Sequence, residues 1–244
     1  MASTDSKIML QEIASMIDHS LLQPTMSDRD LIAGFETALK WNVASVCVKP
    51  YAVDLCQKYL MDSPVKVCTV IGFPHGSNST SIKKIESLQA IADGAVELDM
   101  VINIGKVLSN EWEYVKTEIA EINEICLQGK AILKVIFEND YMPNEGYKIM
   151  LTKMCREIKV AFVKTSTGYG YNKITDGNFA TNGATLADCK LMVEHAGPIM
   201  QVKAAGGIRT LKDLLAFRAI GVTRIGATAT EAILTEFIGS YKAE

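Results

Sequence analysis

The chain has 244 residues, 48% hydrophobic and 22% charged, and its 28 acidic and 25 basic side chains leave a formal charge of −3. Such a composition buries enough apolar surface to offset the entropy of ordering, which excludes a disordered chain, and the absence of a basic cluster gives no basis for a nucleic-acid partner. No segment approaches the ~18 apolar residues of a membrane span, and residues 1–10 lack the basic start and apolar stretch of a secretory leader, so a cytoplasmic protein without a membrane partner is expected.

Short apolar runs alternate with longer amphipathic ones along the chain, the pattern of repeated strand and helix units. The strands are expected at residues 16–22, 45–48, 66–72, 95–101, 131–137, 160–165, 200–204 and 223–226. After the first strand, Ser27 is placed to cap a helix over Asp28–Trp41. After the third, residues 81–92 carry Ile82, Ile85, Leu88 and Ile91 at i, i+3 spacing, which predicts one buried helix face. Eight such units in one chain of this size predict an α/β fold, a single (β/α)8 TIM barrel spanning residues 1–244 as one domain. An open doubly wound sheet would begin with a glycine-rich turn, but Gln23, Pro24 and Thr25 follow the first strand. Six cysteines (Cys47, Cys56, Cys68, Cys126, Cys155 and Cys189) form no Cys-x-x-Cys pair and read as reduced thiols in apolar surroundings.

Polar residues inside three strands draw attention. The fourth strand ends in ELDMVIN, with Glu97 and Asp99 on one face; the sixth, VAFVKTSTGYG, puts Lys164 on the face of Phe162; the seventh, MQVKAAGGI, adds Lys203 beside it. Catalytic groups of a barrel gather at the C-terminal ends of its strands, where these residues lie. A lysine nucleophile must be neutral, and a normal pKa of ~10.4 leaves about one amine in 2,500 uncharged at pH 7. Two ammonium groups ~5 Å apart at an effective dielectric of ~20 repel by roughly 3 kcal/mol, so mutual depression by Lys164 and Lys203 is expected. A neutral amine condenses with a carbonyl to an iminium that stabilises a carbanion, the logic of a Schiff-base aldolase, with Asp99 and Lys203 to share proton transfer. The rival metal chemistry needs converging histidines. Of the three present, His19 and His75 fall near strand ends and His195 inside a helical pattern, so no metal and no other cofactor is expected. Glycine and hydroxyl clusters at TSTG (165–168), Gly206 and Gly207, and GATAT (226–230) suit a phosphate, because late barrel loops and a helix start offer backbone N–H donors.

These segments taken together resemble the deoxyribose-phosphate aldolase family over almost the whole chain. The resemblance is carried by IDHSLL (17–22), SVCVKP (45–50), VIGFPHG (70–76), GAVELDMVINIG (94–105), LKVIFE (133–138), FVKTSTG (162–168), VKAAGGIRT (202–210) and TRIGATAT (223–230). It implies a class I aldolase on a (β/α)8 barrel, with Lys164 forming the Schiff base and Asp99 and Lys203 relaying protons. The implied reaction is reversible cleavage of 2-deoxy-D-ribose 5-phosphate to acetaldehyde and D-glyceraldehyde 3-phosphate, in deoxynucleoside breakdown. By the same resemblance Asp18 and Thr167 line the substrate pocket, Gly168, Gly206, Gly207 and Thr228 surround the phosphate, and Cys47 lies close to the site. It further implies a homodimer or homotetramer acting on small phosphorylated sugars and short aldehydes. Three positions depart from the family pattern: Ser20 replaces the usual Thr, Lys49 a common Asn, and Ala229 a second hydroxyl of the phosphate loop. The last predicts weaker phosphate binding, with Thr228, Thr230 and the helix start left as donors.

Overall fold

The computed structural model describes residues 4–174 and 177–241. The strands are β1 (Ile17–Leu21), β2 (Ser45–Val48), β3 (Lys66–Ile71), β4 (Glu97–Val101), β5 (Ile132–Ile136), β6 (Phe162–Lys164), β7 (Asn172–Lys173), β8 (Phe179–Ala180), β9 (Gln201–Ala205) and β10 (Arg224–Ala227). The helices are α1 (Thr4–Ala14), α2 (Asp28–Trp41), α3 (Val53–Leu60), α4 (Thr80–Ala92), α5 (Ile104–Leu108), α6 (Trp112–Gln128), α7 (Glu145–Ile158), α8 (Leu186–Ala196), α9 (Leu211–Ala219) and α10 (Thr230–Tyr241). Eight parallel strands close into a barrel in the order β1, β2, β3, β4, β5, β6, β9, β10, and the helices wrap its outside. This is a (β/α)8 barrel. Every one of the eight expected strands is present, with ends shifted by at most two residues.

Local chemistry sets the units. The Ser27 hydroxyl accepts from Asp30 N while the Asp30 carboxylate accepts from Ser27 N, a reciprocal cap that starts α2, and Thr210 with Asp213 does the same for α9. The strands are buried on both faces, which explains their unbroken apolar runs. Outward residues such as Val46, Leu98, Val135 and Val163 meet the helices in the main core, which lies between barrel wall and helix layer. No helix among the described residues is long and apolar enough to cross a membrane.

One expectation needs correction. The stripe of α4 does not face the barrel: Ile82, Ile85 and Leu88 are 48%, 63% and 57% exposed, while Lys83, Ser87 and Ala90 are buried. The physical reason is Lys83, whose ammonium donates to Val101 O at 2.8 Å and to Glu118 Oε1 at 2.8 Å, turning the polar face inward. Periodicity locates a face without saying which side is covered. The passage after β6 also holds an unanticipated antiparallel pair, β7 with β8, too short to leave a periodic signal.

Candidate active site

The strand register brings the polar residues together. Lys164 pairs with Lys203 across β6 and β9, and Asp99 pairs with Lys134 across β4 and β5, so by the period of two all four point into the lumen. Asp99 is the centre. Its Oδ2 accepts from Lys164 Nζ at 2.8 Å and from Lys203 Nζ at 2.7 Å, and its Oδ1 from Lys134 Nζ at 2.8 Å and Cys68 Sγ at 3.3 Å. Below this layer Asp18 Oδ2 lies 2.5 Å from Lys203 Nζ, and Asp18 Oδ1 accepts from Arg224 Nη1 and Ser45 Oγ, both at 2.6 Å. Glu97 completes the network, 2.7 Å from Lys134 and 2.9 Å from Arg224.

The network decides protonation. Burial alone would raise the Asp99 carboxyl, but the ammonium groups of Lys134, Lys164 and Lys203 outweigh it and hold Asp99 well below the usual carboxylate range. Burial alone would lower Lys203, but Asp18 and Asp99 outweigh it and raise Lys203 above the ordinary lysine value. The expected depression of Lys203 by its neighbour is therefore reversed, because two carboxylates that paired-lysine reasoning left out lie on it. Lys164 differs from Lys134 and Lys203: among the described residues its sole ion-pair partner is Asp99, and it reaches the substrate-sized cavity.

That cavity, about 510 Å³, opens at the C-terminal ends of the strands. Of the expected residues, Lys164, Thr167, Gly168, Gly206, Gly207 and Thr228 line it. Gly168 and Gly207 have φ of +85° and +84° with open space where a Cβ would stand, so glycine serves backbone conformation there. Asp99, Lys203 and Asp18 lie beneath Lys164, each fully buried, so Asp18 is not on the cavity wall. Cys47 sits to one side in a small apolar cluster with Leu22, Cys68 and Val70, against which Phe73 and Tyr169 pack. Its thiol is lowered chiefly by a hydrogen bond with Cys68, with burial opposing. A second cavity of about 420 Å³ adjoins the first and shares Leu22 and Tyr169 with it.

Several residues escaped the sequence reading. Lys134 and Arg224 belong to the lumen network, and Ser20, Gln23, Tyr169 and Arg209 line the cavity. Lys134 interrupts the apolar run AILKVIF in the same way that exposed the other two lysines, and that signal would have found it. Arg209 left none, being one cation in a polar loop. Thr230 is unavailable as a phosphate donor: it is fully buried, with its Oγ1 2.8 Å from His19 Nδ1. Burial lowers that histidine to about 4, so His19 is neutral and joins the middle of β1 to the start of α10.

Two triplets of candidate metal-ligand atoms exist among the described residues, Cys47 with Cys68 and Asp99, and Asp18 with Cys68 and Glu97. Both are interleaved with the ammonium groups of Lys134 and Lys203, which already neutralise the carboxylates and would repel a dication. The donor set fits a lysine chemistry better than a resident metal.

Comparison with known proteins agrees with this geometry. Residues 12–230 match the DeoC/LacD family of aldolases. The chain is 48% identical over 225 residues to a protein of Rhodopirellula baltica named deoxyribose-phosphate aldolase, covering 92% of this chain and 89% of the relative. A protein of the same name from Oceanobacillus iheyensis, deoxyribose-phosphate aldolase 1, is 43% identical over 92% of this chain and 96% of its own. Among solved structures, an aldolase called QR15 superposes with a TM-score of 0.85 at 34% identity, covering 95% of this chain and 98% of the other. The deoxyribose phosphate aldolase of Aeropyrum pernix, described as a unique tetramer, gives 0.83 at 28% identity, covering 95% and 93%. The chain belongs to the DeoC/LacD family of aldolases.

Proposed function

We propose that the protein is a deoxyribose-phosphate aldolase, one (β/α)8 domain that cleaves 2-deoxy-D-ribose 5-phosphate reversibly to acetaldehyde and D-glyceraldehyde 3-phosphate through a Schiff base on Lys164. The observation that carries the reading is Lys164 itself, a nearly buried amine on the cavity wall with Asp99 2.8 Å beneath it and Lys203 on the same carboxylate oxygen.

The steps follow from that placement. Lys164 first gives its ammonium proton to water in the cavity, and the free amine attacks C1 of the open-chain sugar to give a carbinolamine. Lys203, held as an ammonium, supplies the proton with which the hydroxyl leaves as water, and the iminium forms beside the Asp99 carboxylate, whose negative charge offsets it. The C3 hydroxyl proton passes through water to the Asp99 carboxylate as the C2–C3 bond breaks, which releases D-glyceraldehyde 3-phosphate and sends the electron pair into the iminium as an enamine. Protonation of that enamine at carbon and hydrolysis then return acetaldehyde and free Lys164. Asp99 acts as charge partner and, through water, as proton relay, because it is ionised at any physiological pH. At the open end, the N–H groups of Gly168, Gly206 and Gly207, the Thr228 hydroxyl and the Arg209 cation surround the phosphate. Arg209 and the backbone then compensate for Ala229.

The protein works in the cytoplasm, with no membrane or nucleic-acid partner, as a homodimer or homotetramer. The exposed apolar stripe of Ile82, Ile85 and Leu88 is the surface a second copy would cover. An Ile85→Glu variant should then shift the mass measured by light scattering toward the monomer.

Incubation with acetaldehyde and borohydride, read by intact-mass spectrometry, tests the mechanism. An adduct of about 28 Da mapped to Lys164 and absent from Lys164→Ala supports it. Labelling that follows Lys203, or no adduct under conditions that trap a class I aldolase, overturns it.

A further inference from the structure

The end of β5 holds a glutamate that the mechanism does not use. Glu138 is 1% exposed and adopts φ 55° and ψ 69°, the left-handed region that side-chain-bearing residues avoid. A surrounding structure must over-determine such a conformation for it to persist, and it recurs at functional sites. Here the over-determination is visible on both sides. Phe137 N donates to Lys164 O at 3.0 Å and Asn139 N to Thr165 O at 2.9 Å, so backbone bonds flank Glu138 and tie it to the strand that carries Lys164.

Its carboxylate has no ion-pair partner among the described residues. Instead it accepts from Thr167 N, at 3.2 Å to Oε1 and 3.3 Å to Oε2, and from the Thr167 hydroxyl through a short bond to Oε2. Thr167 Oγ1 in turn accepts from Tyr169 N at 2.9 Å. Gly170 closes the contact: a Cβ there would lie 2.7 Å from Glu138 Cδ. One buried carboxylate thus holds the turn 167–170 from two directions. Thr167, Gly168 and Tyr169 of that turn form a wall of the cavity beside Lys164, whereas Glu138 does not reach the cavity.

We infer that Glu138 is a positioning residue for substrate binding, fixing the turn after β6 so that Thr167 and Gly168 present a preformed wall to the phosphorylated end of the sugar. The inference rests on the reading of this cavity as the aldolase site. A carboxylate suits the task because it is acceptor-only, and both donors of Thr167 converge on it; an amide offers one acceptor and turns an NH2 group toward one of them. Burial raises the Glu138 carboxyl, and the Thr167 hydrogen bonds, with a smaller attraction from the Lys164 ammonium, oppose the rise. The acceptors specify the shape of the turn, and Lys164 keeps its own partner, Asp99, throughout. Disturbing Glu138 should therefore affect binding of the long substrate and leave condensation with a two-carbon aldehyde intact.

Steady-state cleavage of 2-deoxy-D-ribose 5-phosphate and borohydride trapping of acetaldehyde, measured on wild type, Glu138→Gln and Glu138→Ala, separate these effects. KM is expected to rise about tenfold in Glu138→Ala and less in Glu138→Gln, with kcat within about threefold and the rate of trapping on Lys164 unchanged. Gly170→Ala, which pushes the carboxylate from the far side, should raise KM alike and add nothing in the Glu138→Ala background, where the Cβ has room. A fall of kcat and trapping together, an unchanged KM, or additive effects of Glu138→Ala and Gly170→Ala would overturn the positioning role. Should Glu138→Ala not fold, Gly170→Ala read against Glu138→Gln carries the same decision. Failure of the wild type to cleave the sugar phosphate would instead overturn the aldolase reading itself.

Discussion

Two sets of buried charges lie only a barrel wall apart, and burial acts on them with opposite net results. Outside the wall, Lys83 and Glu118 form a pair at 2.8 Å with both side chains fully buried, and the half-buried Glu86 adds a weaker attraction on Lys83. Burial lowers Lys83 and raises Glu118, and each attraction only partly opposes it. Inside the wall, Lys203 is raised and Asp99 lowered, because each faces several opposite charges at 2.5 to 2.8 Å. One opposite charge in direct contact does not compensate desolvation, and two or three in direct contact do. The outer pair is also saturated by backbone: Lys83 donates to Val101 O and Glu118 Oε2 accepts from Asn103 N at 2.9 Å, which ties α4 and α6 to the end of β4. The inner set leaves Lys164 with one ion-pair partner and an open side. Burial of a charge thus marks structure or chemistry according to what remains unsatisfied.

The sharpest way to break this comparison is Lys164→Ala. Its kcat should fall by roughly 10⁴-fold or more, with a small change in unfolding free energy because Asp99 keeps Lys134 and Lys203. A variant that loses stability in step with activity would place Lys164 among the structural charges. Lys203→Met should lose both properties. Calorimetry and initial rates are expected to show about 3–5 kcal/mol of destabilisation, from carboxylates left undercompensated, beside a roughly 10²- to 10⁴-fold drop in kcat.

Lys83→Met is the complementary case: denaturant titration should report a loss of about 3–5 kcal/mol while the folded fraction keeps its kcat. A double variant, Lys83→Met with Glu118→Leu, should recover much of that loss, since no charge is left buried alone. The smallest effect concerns His19, whose folded value of about 4 lies below the ordinary 6.5. The unfolded chain takes up this proton first, so the contribution is complete above pH 6.5 and declines as pH falls toward 4, by up to about 3 kcal/mol. His19→Gln should flatten that part of the stability profile, and an unchanged acid limb would show that His19 does not set it.

The barrel was legible because parallel strands buried on both faces must be short continuous apolar runs, and eight of them recur. Lys164, Asp99 and Lys203 were legible because a charge in such a run contradicts its surroundings. Lys134 carried the same mark, yet neither it nor Arg224 was recognised, since their importance depends on the carboxylates they meet across the lumen. The α4 stripe shows the limit from the other side: the spacing of Ile82, Ile85 and Leu88 is helical, but Lys83 reaching Val101 O and Glu118 decides that this face looks outward. Glu138 gives no periodic signal at all, because its place is set by the Thr167 donors and the Gly170 backbone 29 or more positions along the chain.

By itself the sequence determined the number and order of the strand and helix units, and which charges must lie inside strands, because hydrophobic period and local capping are properties of neighbouring residues. Tertiary structure alone decided which carboxylate meets which lysine, which groups are raised and which lowered, and which helix face is left uncovered. Those outcomes depend on Coulomb interactions and desolvation between residues far apart in sequence, and only closure of the barrel brings them within reach.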